Sequence, residues 1–124
     1  MKKTYETKKA PAPVGAYSQA VEAGGFVFLS GQIPLAPDGK MAGGEFAAQA
    51  RQALANLEAV LNEAGLDFGN VVKITVFMTD LSKFGELNKL FEETLPKPFP
   101  ARAVVGVASL PKGAALEIEA VAAR

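Results

Sequence analysis

The sequence contains no cysteine and no histidine. Disulfides, thiolate nucleophiles, imidazole general bases and most zinc sites are thereby excluded together. A metal held by carboxylates alone would need Asp and Glu clustered at loop-ligand spacing, and the chain offers no such cluster. Charge of one sign is lacking as well, since thirteen basic residues balance thirteen acidic ones. Binding to phosphate backbones runs on an excess of Lys and Arg, so nucleic acid is not the expected partner. No run of about 18 apolar residues occurs, and no membrane-spanning helix is expected. Residues 1–7 are too polar for the apolar core of a signal peptide, which makes the cytoplasm the expected compartment.

What is present describes an ordinary globular chain. Of 124 residues, 49% are apolar and 21% charged, and one domain spanning 1–124 is expected. A chain of this size buries about two-thirds of its unfolded surface, enough for a core without staples.

The pattern of residues reads as alternating strands and helices. Ala10-Pro11-Ala12-Pro13 is extended, because each proline excludes helix from the residue before it. Strands are expected at 16–22 and 26–33 around an Ala23-Gly24-Gly25 hairpin turn, with a short first strand near Thr4 to Thr7. Residues 34–44, with two prolines and three glycines, are a loop. Phe46, Ala50, Leu54, Leu57, Leu61 and Ala64 recur at three- and four-residue steps and make 45–64 a helix. Gly65 supplies its left-handed stop, with Leu66 packing back on Leu61.

Residues 71–79 alternate as a strand, with Val72, Ile74, Val76 and Met78 on one face and Val71, Lys73, Thr75 and Phe77 on the other. Ser82 is the expected cap of a second helix that ends at Leu95, before the prolines of 96–100. Two closing strands, 101–108 and 114–122, form a hairpin about Leu110 to Gly113. Two helices cover one face of such a sheet. The uncovered face, with Val71, Phe77 and Val121, is too apolar to leave wet, and an oligomer is expected to bury it.

Several polar residues sit where packing alone would not put them. Asn88 falls about 40° from Phe84 and about 20° from Leu95 around the second helix, inside the apolar stripe. It either bonds a loop carbonyl or serves a site, because a buried amide without partners costs roughly 1–3 kcal/mol. On the last strand Glu117 and Glu119 alternate with Leu116 and Ile118. A hairpin turn would bring Arg102 to the same face as the two carboxylates. That arrangement is either a solvated cross-strand ion pair or a carboxylate-binding arginine beside a water-handling glutamate. Ser30-Gly31 either ends a strand or lets a ligand approach the backbone. Tyr17, expected in the preceding strand, either packs in the core or reaches the same mouth.

These positions carry a resemblance. SGQIP at 30–34, AQARQAL at 48–54, VVKITVFMTDL at 71–81, FPARAVVGVASLPKGA at 99–114 and LEIEAVA at 116–122 resemble the RidA family, also called YjgF/UK114. The likeness runs over essentially the whole chain. It implies an α+β, chorismate-mutase-like protomer, with two helices on one face of a mixed sheet, in a homotrimer with clefts between neighbours. It also implies hydrolysis of 2-aminoacrylate and related enamines or imines to 2-keto acids and ammonia, with no cofactor. By position, Arg102 would hold the substrate carboxylate and Glu117 the attacking water, while Tyr17, Ser30, Gly31 and Asn88 would line the cleft. Val104 stands where many members have cysteine, and the resemblance implies a main-chain role there. A protonated imine is already electrophilic, so a site without His or Cys suffices if it fixes the carboxylate and a water.

Two other classes remain open from the sequence. Some relatives carry a ribonuclease or translation-inhibitor label, and a non-catalytic module binding a 2-keto acid would need Arg102 equally. Glu117 is the discriminator, because a pure carboxylate binder has no use for it.

Overall fold

A computed structural model describes residues 2–124, so Met1 lies outside the described residues. The fold is α+β: one six-stranded mixed sheet, two helices and one continuous apolar core. The elements are β1 (Lys3–Tyr5), β2 (Ala20–Ala23), β3 (Phe26–Gln32), α1 (Phe46–Glu63), β4 (Val71–Met78), α2 (Phe84–Thr94), β5 (Ala101–Gly106) and β6 (Leu116–Ala123). Their order across the sheet is β1-β2-β3-β6-β4-β5. Only β4 and β5 run parallel, as expected for strands joined through a helix.

The β2–β3 hairpin turns where two glycines stand, with φ of 61° at Gly24 and 82° at Gly25. Two consecutive left-handed residues match the strand twist, and glycine adopts them freely. β2 begins at Ala20 rather than at residue 16, because the preceding segment is occupied elsewhere. The buried Gln19 amide donates to the carbonyls of Thr7 and Pro11 and accepts from the Thr7 N–H. Tyr17 therefore lies in a loop before β2, and is half exposed rather than packed in the core.

α1 ends as its sequence predicts. Leu66 N–H donates to the Leu61 carbonyl at 2.9 Å and Gly65 N–H to that of Asn62 at 3.0 Å, with Gly65 at φ 76°. Both bonds satisfy carbonyls that the helix leaves orphaned. α1 packs on β3, β6 and α2, and Leu57 and Leu61 are fully buried, each stabilising by about 1.5–3 kcal/mol. α2 starts differently from expectation. Asp80, not Ser82, is the capping group: its carboxylate accepts from the Ser82 N–H at 3.0 Å and opens a single 3₁₀ turn before Phe84.

Two departures matter for the site. The register of β4 against β6 slips between Val71 and Lys73. The slip turns Val71 into the core and leaves Val72 exposed, reversing the faces that strict alternation assigns to them. The larger departure is that β5 and β6 do not form a hairpin. β4 lies between them, paired in parallel with β5 and antiparallel with β6. The sheet face away from the helices carries Phe28 beside Val121, and Val105, Phe77 and Glu117 in one row. Phe26, Phe28 and Val105 there are each more than two-fifths exposed.

Candidate active site

Arg102 lies opposite Ile74 in the β4–β5 ladder, and Ile74 faces the core. The arginine therefore leaves the sheet on the helix side, at the open edge beside α2. Its Nη1 donates to Asn88 Oδ1 at 2.9 Å, and Asn88 Nδ2 donates to Glu92 Oε1 at 3.0 Å. Asn88 and Glu92 stand four residues apart on one helical face, so the same helix turn presents both. The guanidinium carbon sits 5.2 Å from the centre of the Phe84 ring and 5.9 Å from that of Phe91. Such contacts are worth about 0.5–1 kcal/mol each at exposed sites and restrict where the guanidinium sits. Beside it opens a cavity of about 320 Å³ whose apolar walls include Phe91, Leu95 and Phe99. Asn88 and Glu92 line the cavity beside the arginine, and a guanidinium fork next to its apolar walls fits a small carboxylate with a hydrocarbon tail.

A second cluster occupies the opposite face. β3 bulges between Leu29 and Gln32, which places Ser30 and Gly31 out of the regular ladder. Ser30 Oγ donates to the Ser18 carbonyl at 2.6 Å, tying the bulge to the segment that follows Tyr17. Gly31 lies against Glu117: a Cβ built there would collide with the carboxylate. Any larger residue would push the carboxylate out of this position. Burial raises the Glu117 carboxyl above the ordinary glutamate range, and the negative charge of Glu119 on the same face adds to the rise. An unpaired, partly desolvated carboxylate is a stronger base than one in water.

The sequence reading put Arg102 and Glu117 on one face, and the structure corrects this. Glu117 pairs with Phe77 and Arg102 with Ile74, and these two residues of β4 point to opposite sides. The reason is the intervening strand, which replaces the expected hairpin. Asn88 bonds neither a loop carbonyl nor any main-chain group; its partners are Arg102 and Glu92. The structure thus assembles Arg102 with Asn88, and separately Gly31 with Glu117 and Ser30. The Val104 side chain packs against the core from β5. β5 is an edge strand, so main-chain N–H groups along it are not all used in the sheet.

Glu92, Phe91 and Phe99 were not singled out by sequence, and neither was Asn56. That residue is fully buried on α1, donating to the carbonyls of Ile33 at 3.1 Å and Leu35 at 2.7 Å. The test that picked out Asn88, an amide within an apolar stripe, finds Asn56 too when applied between Ala53, Leu57 and Val60.

The family model described as endoribonuclease L-PSP matches residues 7–124. The chain belongs to the RidA family. It is 46% identical over 123 residues to the 2-iminobutanoate/2-iminopropanoate deaminase of Rattus norvegicus, covering 98% of this chain and 90% of that one. The solved structure of RidA from the Antarctic bacterium Psychrobacter superposes with a TM-score of 0.95 at 46% identity, over 98% of this chain and 99% of the other. Escherichia coli TdcF with bound serine superposes at 0.90 with 43% identity, over 98% of each chain.

Proposed function

We propose that this RidA-family chain forms a homotrimer whose intersubunit clefts hydrolyse enamines and imines of amino acids, such as 2-aminoacrylate, to 2-keto acids and ammonia. The observation that carries the reading is the division of the two clusters between opposite faces of one sheet. A single protomer cannot offer Arg102 and Glu117 to one small substrate. A ring of three, closing head to tail, sets the Arg102 edge of one copy against the Glu117 face of the next and covers the exposed Phe26, Phe28 and Val105. Relatives named as deaminases of 2-iminobutanoate and 2-iminopropanoate support the chemistry.

In this cleft Arg102, packed beside Phe84 and Phe91 and aimed by Asn88, grips the substrate carboxylate with two parallel N–H groups. 2-Aminoacrylate takes a proton on its methylene carbon and becomes the iminium ion. Glu117 holds a water and accepts its proton as the oxygen bonds to the iminium carbon. Glu117 passes that proton to the carbinolamine nitrogen and takes the hydroxyl proton as the C–N bond breaks and the carbonyl forms, and ammonia and the keto acid leave. Gly31 and Ser30 frame the water, Tyr17 closes the mouth, and the Val104 main chain contacts the carboxylate. RNA cleavage is a poorer fit, because the balanced charge gives no basic excess for a phosphate backbone and no imidazole is present to move protons.

The experiment is complementation. Arg102→Ala and Glu117→Gln proteins, each expected to be strongly impaired in releasing ammonia and keto acid from enzymatically generated 2-aminoacrylate, are unfolded together and refolded as a mixture. Random mixing in trimers gives one intact cleft in most rings and restores about a quarter of wild-type activity. A mixture no better than the two parents would refute the shared cleft. Absence of keto-acid formation by the wild-type protein would refute the deaminase reading.

A further inference from the structure

We propose that Asn56 is a positioning residue for the water-holding end of the cleft, its side-chain amide anchoring residues 31–35 so that the Gly31 main chain stays seated against Glu117. The proposal rests on the role given to Glu117 above. Asn56 projects from α1, one layer behind the sheet, and its exposure is zero. Its Nδ2 uses both hydrogens, on the carbonyls of Ile33 and Leu35, and its Oδ1 accepts from Gln52 Nε2 at 3.0 Å. The three bonds fix which way the amide faces, since only the NH₂ end can satisfy two carbonyls.

The anchored segment leads straight to the carboxylate. Ile33 follows Gln32, which is buried and paired with Ile118, the residue after Glu117. Gly31, one residue earlier, lies in the bulge where no regular ladder bond holds it, against the Glu117 carboxylate. Pro34 has no N–H to tie the chain at this corner. Main-chain bonds from Leu35 to Ile33, from Ala36 to Lys40 and from Ala42 to Pro34 close the turn on itself, and Asn56 is the side chain of α1 that ties it to the helix layer, through two of its carbonyls. A hydrocarbon at position 56 would fill the space between Ala53, Leu57 and Val60, yet leave the Leu35 carbonyl without its Asn56 donor and the Ile33 carbonyl with only the Leu35 N–H. They would turn toward water, the corner would move outward, and water would reach Glu117 past Gly31.

Burial is what raises the Glu117 carboxyl, so loosening the corner lowers it. The neighbours that face it are Gly31 from β3, Phe77 from β4 and Glu119 from its own strand. Lys73 lies two residue pairs farther along, opposite Val121, and Thr75 is opposite Glu119. None of these changes when residue 56 is replaced.

The test uses the full chain with Asn56→Leu and, as a milder variant at a half-buried position, Gln52→Met, which removes the bond that orients the amide. Rates are measured against pH with enzymatically generated 2-aminoacrylate, and the Glu117 carboxyl is titrated by ¹³C NMR, assigned by its loss in Glu117→Gln. In Asn56→Leu, kcat should fall about tenfold with KM within about twofold, the pattern of an interaction realised in the transition state. The acid limb of kcat and the Glu117 titration should both move to lower pH. Gln52→Met should move both the same way by less, and carries the test if Asn56→Leu does not fold. In a Glu117→Gln background the Asn56→Leu loss of kcat should vanish, because residues acting through one group are not additive. A folded variant that melts earlier but keeps wild-type kcat, acid limb and Glu117 titration would overturn the proposal. So would a loss of the same size in the Glu117→Gln background. A wild-type protein without deaminase activity would instead strike the functional reading, while the NMR titration would still report on the anchoring.

Discussion

Replacing Arg102 by lysine keeps the positive charge and removes the fork, which isolates what the planar group contributes. In the structure the guanidinium is held by one hydrogen bond, Nη1 to Asn88 Oδ1 at 2.9 Å, and by the rings of Phe84 and Phe91. An ammonium on a flexible stem makes at most one good bond to a carboxylate and does not stack flat between rings. The loss at the transition state is then one charge-assisted hydrogen bond, roughly 1.5–3 kcal/mol. At 1.36 kcal/mol per decade this is about 10- to 150-fold in kcat/KM. Arg102→Ala also removes the charge and should be nearly inactive. Folding should survive both changes, because Arg102 is an exposed residue of an edge strand and its removal leaves no buried charge unpaired. The assay is keto-acid formation from 2-aminoacrylate, with circular dichroism and sedimentation equilibrium as controls on folding and on a mass of about three chains of 12.9 kDa. Wild-type kcat/KM in a folded, trimeric Arg102→Lys protein would refute the bidentate grip, and the same result for Arg102→Ala would refute carboxylate capture altogether.

Asn88→Leu should fold, since the position adjoins the apolar side of α2, and should lose about tenfold in kcat/KM because the Arg102 fork is no longer aimed; unchanged rates would make Asn88 a bystander. Glu119→Gln should move the acid limb of kcat to lower pH and leave the plateau alone, because Glu119 repels the ionised form of Glu117 and its removal keeps that form present in more acid solution. An unmoved limb would assign the limb to another group. Glu22 is held down to about 2 by its bonds to Arg124 and Tyr5, so its stabilising effect is complete above the unfolded value of 4.5 and lost as pH falls toward 2. Glu22→Gln should therefore lower the melting temperature at pH 7, with the difference from wild type closing near pH 2 in thermal denaturation.

Local signals were legible where one physical preference governs. The α1 stripe, its glycine stop and the diglycine hairpin each follow from residues adjacent in sequence, and each stands as the pattern demands. The failures are non-local. Whether β6 joins β5 or inserts between β3 and β4 depends on pairings over long stretches of chain, and the alternation within either strand is the same in both cases. That single ambiguity moved Arg102 to the wrong face. The bulges at Val71 and at Ser30-Gly31 were equally hidden, because an extra residue leaves the local composition unchanged. The buried amides Gln19 and Asn56 went unmarked for different reasons. Asn56 lies in the α1 stripe and was within reach of the same test that found Asn88, whereas Gln19 bonds main-chain groups of Thr7 and Pro11 in an irregular segment, and these leave no trace in the side-chain pattern.

The corrected geometry also explains how one small chain keeps a cation and a basic carboxylate available. Had Arg102 and Glu117 shared a face, they would form an ion pair, with the arginine's charge neutralised and the glutamate's basicity lowered. Instead, the two ion pairs found among the described residues, Lys83 with Glu86 and Arg124 with Glu22, involve neither. Arg102 is oriented by a neutral amide, and Glu92 makes its hydrogen bond to that amide rather than to the guanidinium. Its fork stays free for a substrate carboxylate. Among the described residues no cation shifts Glu117, and burial together with Glu119 keeps its proton affinity high. In the proposed cleft the two meet only across a subunit boundary and with substrate between them, so the arginine's charge is met by the substrate carboxylate rather than by the base. On the proposed mechanism, a chain without histidine obtains its base from burial, and the sheet itself supplies the distance that preserves it.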